Sequence, residues 1–193
     1  QGPQGDGDPD ASDGLFVHAG WTPELQAGQH VEVAGTVAEF NVGSPTNAHT
    51  TAHTVTQLTH VSDLQVLGTG QTIAPTALGL PVATEAAFER VEGMLVTITG
   101  PLTVSQNYFQ GRYGQVTLSA GGRLETPTNR HRPGTPQAIA LADANARARL
   151  ILDDGTAALN PDPTPWMGQD DTLRAGDTLA RLTGVLDYGL ARS

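Results

Sequence analysis

The sequence of 193 residues contains no cysteine, which excludes disulfide bonds, thiolate nucleophiles and zinc sites built from cysteine. It contains no lysine either, so every one of its ten basic residues is an arginine. No apolar run approaches the roughly 18 to 20 residues of a membrane span. Serine-hydrolase elbows, His-Glu-x-x-His zinc sites and phosphate-binding Gly-Lys loops are missing as well. The sequence therefore predicts no membrane span and lacks the starting residues of these enzyme classes.

Charge is distributed unevenly along the chain. The 20 Asp and Glu residues outnumber the arginines and give a formal net charge of −10. Residues 1–111 hold eleven of these acids and a single base, Arg90, whereas residues 112–149 hold six arginines and two acids. The last stretch, 150–193, is acidic again, with seven acids and three arginines. One basic window therefore lies within an acidic protein.

Glycine and proline are abundant, at 23 and 13 residues, and this composition favours many short strands over long helices. Apolar and polar residues alternate with the period of a strand in two clear stretches, at Val31, Val33 and Val37 and at Met94, Val96 and Ile98. Further strands are predicted at 15–18, 55–59, 64–67, 102–105, 108–109, 115–119, 149–152 and 178–188. Short helices are predicted at 84–90 and 136–146, as connections between strands.

One segment occurs twice. Residues 25–40 align with residues 173–188 without a gap. The matched pairs include Leu25 and Leu173, Gly28 and Gly176, Val37 and Val185, and Phe40 and Tyr188. A glycine turn followed by a long strand that contains a further glycine is a device for curving a small barrel. We therefore expect two modules, at 1–80 and 84–193, with a linker rich in glycine and proline at 68–81.

A longer stretch of the sequence resembles a known family. The stretch runs from Glu92-Gly-Met-Leu-Val-Thr-Ile-Thr-Gly-Pro-Leu-Thr-Val-Ser-Gln-Asn-Tyr108 through 111–118 and 122–124 to Pro127-Thr-Asn129. Shorter matching pieces lie at 5–17, 56–58, 150–155 and 183–188. Together they resemble the OB-fold region of large secreted bacterial nucleases, the NucH-type extracellular endonucleases.

The resemblance implies an all-β protein with two OB-fold-like Greek-key barrels in tandem and short connecting helices. In that family the region precedes a metal-dependent endonuclease/exonuclease/phosphatase domain, which carries the catalytic carboxylates and histidines. We therefore expect this chain to be a non-catalytic segment of a longer protein that is extracellular or associated with the cell envelope. By the same resemblance, one strand of the first module would precede Gln1, and one strand of the second would follow Ser193.

The basic window is the strongest functional candidate from the residues themselves. Tyr108, Phe109 and Tyr113 flank Arg112, and Arg123, Arg130, His131 and Arg132 follow. Aromatic rings stack on unpaired bases while arginines neutralise phosphates, which is the usual combination for binding single-stranded nucleic acid. We therefore predict weak, non-specific DNA binding through Arg112, Tyr113, Arg123, Arg130 and Arg132, in support of a separate nuclease domain.

Two other functions stay open. The net negative charge repels polyanions except where a local patch of positive charge outweighs it. This favours a structural spacer or a module that docks at the cell envelope. A carbohydrate-binding OB barrel is the third interpretation, with Trp21 and Trp166 as the rings that would stack on sugar. A spacer would show no DNA binding, whereas a DNA-binding module would lose affinity with added salt.

Two clusters have residue types that bind metals. Asp6, Asp8, Asp10 and Asp13 lie among glycines, and carboxylates at this spacing suit calcium, although the EF-hand pattern fails because Ala11 stands at its glycine position. The alternative is an acidic turn stabilised by Asp side chains. The second cluster is a threonine-rich stretch with His49, His53 and His60. Without acidic or cysteine neighbours in the sequence, these three are expected to be loop histidines.

Overall fold

Eight strands and several short helices make up the part of the chain that the computed structural model describes, residues 1–2, 5–8, 10–21, 23–168, 170 and 172–189. The strands are β1 (Phe16–Val17), β2 (His30–Phe40), β3 (Val55–Gly68), β4 (Thr76–Ala77), β5 (Leu95–Gln106), β6 (Val116–Ala120), β7 (Arg149–Leu152) and β8 (Thr178–Val185). The helices are α1 (Ala48–Ala52), α2 (Gln110–Tyr113), α3 (Pro127–Arg130) and α4 (Pro136–Ala148), with two 3-10 turns at Glu85–Ala87 and Glu89–Val91.

The first of two compact units contains Gln1–Thr76, Phe88–Val96 and the segment that begins at Thr183. Its three-stranded sheet has the order β1-β3-β2, in which β1 runs parallel and β2 antiparallel to β3. Several large apolar side chains of this unit are exposed, namely Phe16, Val17, Trp21, Val37, Phe40, Val66 and Leu67. The apolar residues of β2 and β3 are therefore only partly covered.

The second unit is formed chiefly by Ala77–Ala87 and Thr97–Leu182 and has a well-covered core. The five-stranded sheet has the order β4-β5-β6-β7, and β8 pairs with β5. Ile98, Leu102, Val104, Val116 and Leu118 form the buried cluster, each at 2% exposure or less. Because alternate positions of β5 and β6 point to one side of the sheet, this cluster follows directly from the period-2 pattern.

The prediction of an all-β fold with two OB-like barrels is wrong. The structure is mixed α/β, mainly β, with two open mixed sheets, and neither sheet closes into a barrel in the described residues. A barrel requires its first and last strands to pair. The edge strands are β1 and β2 in one sheet, and the two-residue β4 and the four-residue β7 in the other. In neither sheet do the two edge strands pair with each other.

Helices and turns differ from the prediction in instructive ways. Pro136 occupies the first position of α4, as the sequence predicts. Thr135 caps this helix, because its hydroxyl accepts a hydrogen bond from the Ala138 N–H. The predicted helix at 84–90 is two 3-10 turns, and the predicted strand at 108–109 is a turn before α2. No helix in the described ranges has the length and apolarity to cross a bilayer.

The repeated segment forms the same local structure twice. In the first copy the Gln26 N–H donates to the Gln29 side chain at 2.8 Å, and in the second the Arg174 N–H donates to the Asp177 carboxylate at 2.7 Å. Each turn places its glycine, Gly28 or Gly176, at positive φ immediately before the strand, β2 or β8. The two copies therefore match in structure as well as in sequence.

Candidate functional site

The aromatic residues before β6 gather around helix α2. The ring of Tyr108 meets that of Phe109 edge-on at 4.9 Å, and Phe109 lies 5.9 Å from Tyr113. The guanidinium carbon of Arg112 lies 5.5 Å from the centroid of the Tyr113 ring, within cation–π range. Gly114 ends the helix in the left-handed conformation. This short helix thereby brings one arginine and three rings together.

The three rings differ in accessibility. Tyr108 is 80% exposed, whereas Phe109 and Tyr113 are half-buried. Tyr113, the ring that the sequence singles out, has its neighbours Phe109 and Arg112 on the protein itself. The surface therefore offers Tyr108 as its most accessible stacking ring.

Two serines hold the loop that carries Arg123. Ser119 is fully buried, and its hydroxyl donates to the Gly122 carbonyl at 2.6 Å. The Leu124 N–H donates to the Ser105 hydroxyl at 3.0 Å, and the two hydroxyls lie 2.5 Å apart. Arg123 itself is exposed between these two anchored positions. The loop is therefore fixed to β5 and β6 while its arginine faces solvent.

The remaining arginines of the window are divided between paired and available side chains. Arg130, at the end of α3, forms an ion pair with Glu125. Arg147 pairs with Asp143 at 2.9 Å. Exposed ion pairs contribute little stability, but each partner reduces the charge offered to a polyanion. Within the part of the chain that the structure describes, no carboxylate forms an ion pair with Arg112, Arg123 or Arg132.

Three of the four acids near the start of the chain accept hydrogen bonds from backbone N–H groups of the same segment. The Asp13 carboxylate accepts the Asp6 N–H, Asp6 accepts the Asp8 N–H, and Asp8 accepts the Asp10 N–H, at 2.8 to 2.9 Å. Asp10 also pairs with Arg90 at 3.0 Å. These contacts are those of the acidic turn, the alternative to calcium. The calcium site stays a prediction.

The histidines are in a different setting from the expected loop. His49 lies in α1 and His53 caps its end, so their four-residue spacing places the rings 4.9 Å apart. The Nδ1 atom of His49 lies 3.0 Å from the Tyr188 hydroxyl, and Nδ1 of His53 lies 3.4 Å from Glu89 Oε1. His60 is an exposed residue of β3 with positive φ. The expectation of loop histidines is therefore wrong for His49, which lies in α1, and for His60, which lies in β3.

Glu92 joins this group as a perturbed carboxyl. Burial, together with the carboxylates of Glu89, Asp187 and Glu39, raises the pKa of Glu92 to about 7. The Glu39 carboxylate accepts hydrogen bonds from Thr54 and Thr56 at 2.6 and 2.8 Å. Sequence reasoning missed the acidic members because they lie far from the histidines along the chain.

Other candidate chemistry receives less support. Among the described residues, no group of three or more His, Asp and Glu side chains has the geometry to hold a metal ion. Trp166 donates its indole N–H to the Gly114 carbonyl at 3.1 Å and packs against the buried cluster. That contact gives Trp166 a structural role, whereas Trp21 is 52% exposed.

Comparison with known proteins adds a family but no activity. The model of a family described as a domain of unknown function, DUF8508, matches residues 70–192. No curated protein and no solved structure matches the chain.

Proposed function

This chain belongs to the DUF8508 family of domains of unknown function, and we propose that it is a non-catalytic module that binds single-stranded DNA weakly. The contacts would come from its basic segment, defined as residues 108–132. By its resemblance to NucH-type nucleases, the module would position DNA for a separate nuclease domain of a secreted or envelope-associated protein.

The observation that carries the proposal is the arrangement at helix α2. The guanidinium of Arg112 lies against the Tyr113 ring, and Phe109 connects Tyr113 to Tyr108, whose ring is 80% exposed. A base stacked on Tyr108 would lie on the same turn and helix as Arg112, whose charge is available to a phosphate. Stacking of this kind contributes about 1 to 3 kcal/mol per base and does not depend on sequence.

Charge sets the expected strength of binding. Arg112, Arg123 and Arg132 are exposed without an ion pair among the described residues, while Arg130 shares its charge with Glu125. Three phosphate contacts would give a slope of log affinity against log salt of about −2 on single strands. The chain's net charge of −10 adds repulsion at low salt. Binding is therefore weak, and is nearly lost at physiological salt.

The experiment is a titration of labelled single-stranded DNA at several salt concentrations. The double variant Arg112→Gln/Arg132→Gln is compared with Arg90→Gln/Arg174→Gln, which removes the same charge outside the basic segment. We expect the first variant to lose about tenfold or more in affinity and to flatten the slope, whereas the second binds like the parent. Equal losses in both would mean that only net charge matters.

A ring substitution separates stacking from charge. Tyr108→Ala removes an exposed side chain, and Trp21→Ala is its control, since Trp21 is an exposed ring of the first unit. We expect Tyr108→Ala to weaken binding at every salt concentration without changing the slope. No change would remove the stacking part of the proposal.

A docking module is the second candidate, and one observation favours it. The first unit exposes Phe16, Val37, Phe40, Val66 and Leu67 at 46 to 64%. Large exposed apolar side chains are the residues from which interaction sites are built. If the parent shows no binding to DNA at low salt, the docking role replaces the DNA-binding role.

A further inference from the structure

The segment that follows β8 is attached to the first unit by two kinds of contact. The Leu186 N–H donates to the Met94 carbonyl at 3.0 Å, and the Gly93 N–H donates to the Leu186 carbonyl at 2.7 Å. Two residues later, the Tyr188 hydroxyl lies 3.0 Å from His49 Nδ1, and the two rings stack with an angle of 15° between their planes. Residues 186–188 are thus held by backbone and side-chain bonds together.

Titratable groups from four segments converge on this attachment. Helix α1 and its cap contribute His49 and His53, β2 contributes Glu39, the second 3-10 turn and its end contribute Glu89 and Glu92, and the attached segment itself contributes Asp187 and Tyr188. The nearest arginine in the sequence, Arg90, forms an ion pair with Asp10. Among the described residues, no arginine forms an ion pair with these four carboxylates.

We propose that these seven side chains form a pH-sensitive latch, which holds residues 186–188 against α1 and Gly93 at acidic pH and loosens them as the pH rises. A protonated Glu92 removes one negative charge beside Asp187. When Glu92 loses its proton as the pH rises, the four carboxylates of Glu39, Glu89, Glu92 and Asp187 face one another. The other three carboxylates then repel Asp187, and this repulsion acts directly on the attached segment.

The direction of the effect follows from Glu92. The pKa of Glu92 is raised to about 7 in the folded protein, in part by Asp187, and release of the segment removes that part of the shift. The attached state therefore binds a proton more tightly than the released state. Attachment is fully favoured at low pH and weakens progressively as the pH rises through 7.

Amide hydrogen exchange measures the latch directly. The Leu186 and Gly93 amides report on the attachment. The internal references are the Gly176 amide, which donates to the Val104 carbonyl, and the Val104 amide, which donates to the Asp177 carbonyl, both at 2.8 Å near the start of β8. After correction for intrinsic exchange, we expect protection at Leu186 and Gly93 to fall several-fold, at most about tenfold, from pH 6 to pH 8. The reference amides should change little.

Three variants that nearly keep the size of the side chain test the cause. Glu92→Gln keeps a neutral group at every pH, so protection of Leu186 at pH 8 should resemble that of the parent at pH 6. Glu32→Gln removes an exposed carboxylate of β2 outside the cluster and should behave like the parent. Tyr188→Phe keeps the ring but loses the bond to His49, so it should lower protection already at pH 6.

Three results would overturn the latch: constant protection of Leu186 between pH 6 and pH 8 in the parent, an undiminished pH dependence in Glu92→Gln, or an equal effect of Glu32→Gln. Each of these readouts is independent of DNA binding, so the latch and the proposed function can fail separately.

Discussion

The two copies of the repeated segment start alike and end in different surroundings. Both begin with the same side-chain-capped glycine turn and continue into a strand. In the second copy, Leu173, Leu179 and Leu182 pack against the buried cluster of the second unit. In the first copy, Leu25 is 39% exposed and Phe40 51% exposed. Local sequence therefore determines the turn and the strand, whereas the neighbouring strands determine how much of the strand is buried.

The largest expected difference comes from truncating the equivalent leucines. Leu173→Ala should lower the free energy of unfolding by about 2 to 3 kcal/mol, because it leaves space against the buried cluster. Leu25→Ala should cost less than about 1 kcal/mol, because that side chain is already partly in water. Urea unfolding of both variants measures the difference. Equal losses would mean that the two copies are covered to the same extent in solution.

The turn glycines allow a second test. Gly28 has φ of +86°, and a Cβ there would lie 2.9 Å from the Gln71 carbonyl oxygen, whereas Gly176 has φ of +104° with open space around it. Gly176→Ala should cost about 1 kcal/mol from backbone strain alone, and Gly28→Ala about 2 kcal/mol because the Gln71 backbone must also shift. Thermal unfolding of the two variants gives their order, and a larger loss for Gly176→Ala would contradict the structure.

The third test concerns the acids at the ends of the two copies, Glu39 and Asp187, which both raise the pKa of Glu92. Because that pKa is raised to about 7, the stabilisation that protonated Glu92 gives the folded state is present at low pH and is lost as the pH rises through 7. We expect the free energy of unfolding to fall by about 1 kcal/mol from pH 5 to pH 8, a value reduced for the partial exposure of Glu92.

Carboxyl chemical shifts of Glu92 separate the two acids. Asp187→Asn should lower the pKa of Glu92 more than Glu39→Gln does, since Asp187 has the larger effect. An unchanged pKa in both variants would leave burial and Glu89 as the causes.

The smallest effect is expected at the caps of the turns. Asp177→Ala should cost about 1 kcal/mol because the Arg174 N–H loses a charged acceptor, and Gln29→Ala about 0.5 kcal/mol because its acceptor is neutral and exposed. Chemical denaturation of Asp177→Asn, which keeps an acceptor, supplies the control. Equal losses in Asp177→Asn and Asp177→Ala would mean that the charge of Asp177, and not its hydrogen bond to the Arg174 N–H, accounts for the effect.

Sequence patterns predicted the local structure well. The strand predicted at 149–152 is confirmed with the same bounds as β7, and α4 begins at Pro136 as predicted. The turn at Tyr108 and Phe109 was predicted as a strand, because aromatic residues suit both a strand and the start of a helix such as α2. Barrel closure failed as a prediction because it depends on pairing between distant strands, which no local pattern reports.

The candidate sites show the same limit. The basic residues and their rings were visible because they are close in sequence, from Tyr108 to Arg132. The histidine cluster was not, because Tyr188 lies 139 residues from His49 and Glu89 lies 36 residues from His53. Burial is what perturbs Glu92, and the sequence around it carries no sign of that burial.

The absence of lysine has a practical consequence for the whole molecule. Trypsin then cleaves only after arginine, and residues 1–111 contain a single arginine, Arg90, which is paired with Asp10. Exposed connections are cut before packed elements. Digestion of the native protein should therefore begin after Arg123 or Arg130, near α3, and leave a long, almost uncut fragment from the acidic half. A ligand seated on the basic segment would slow that first cut, so a gel reports binding without any label on the ligand.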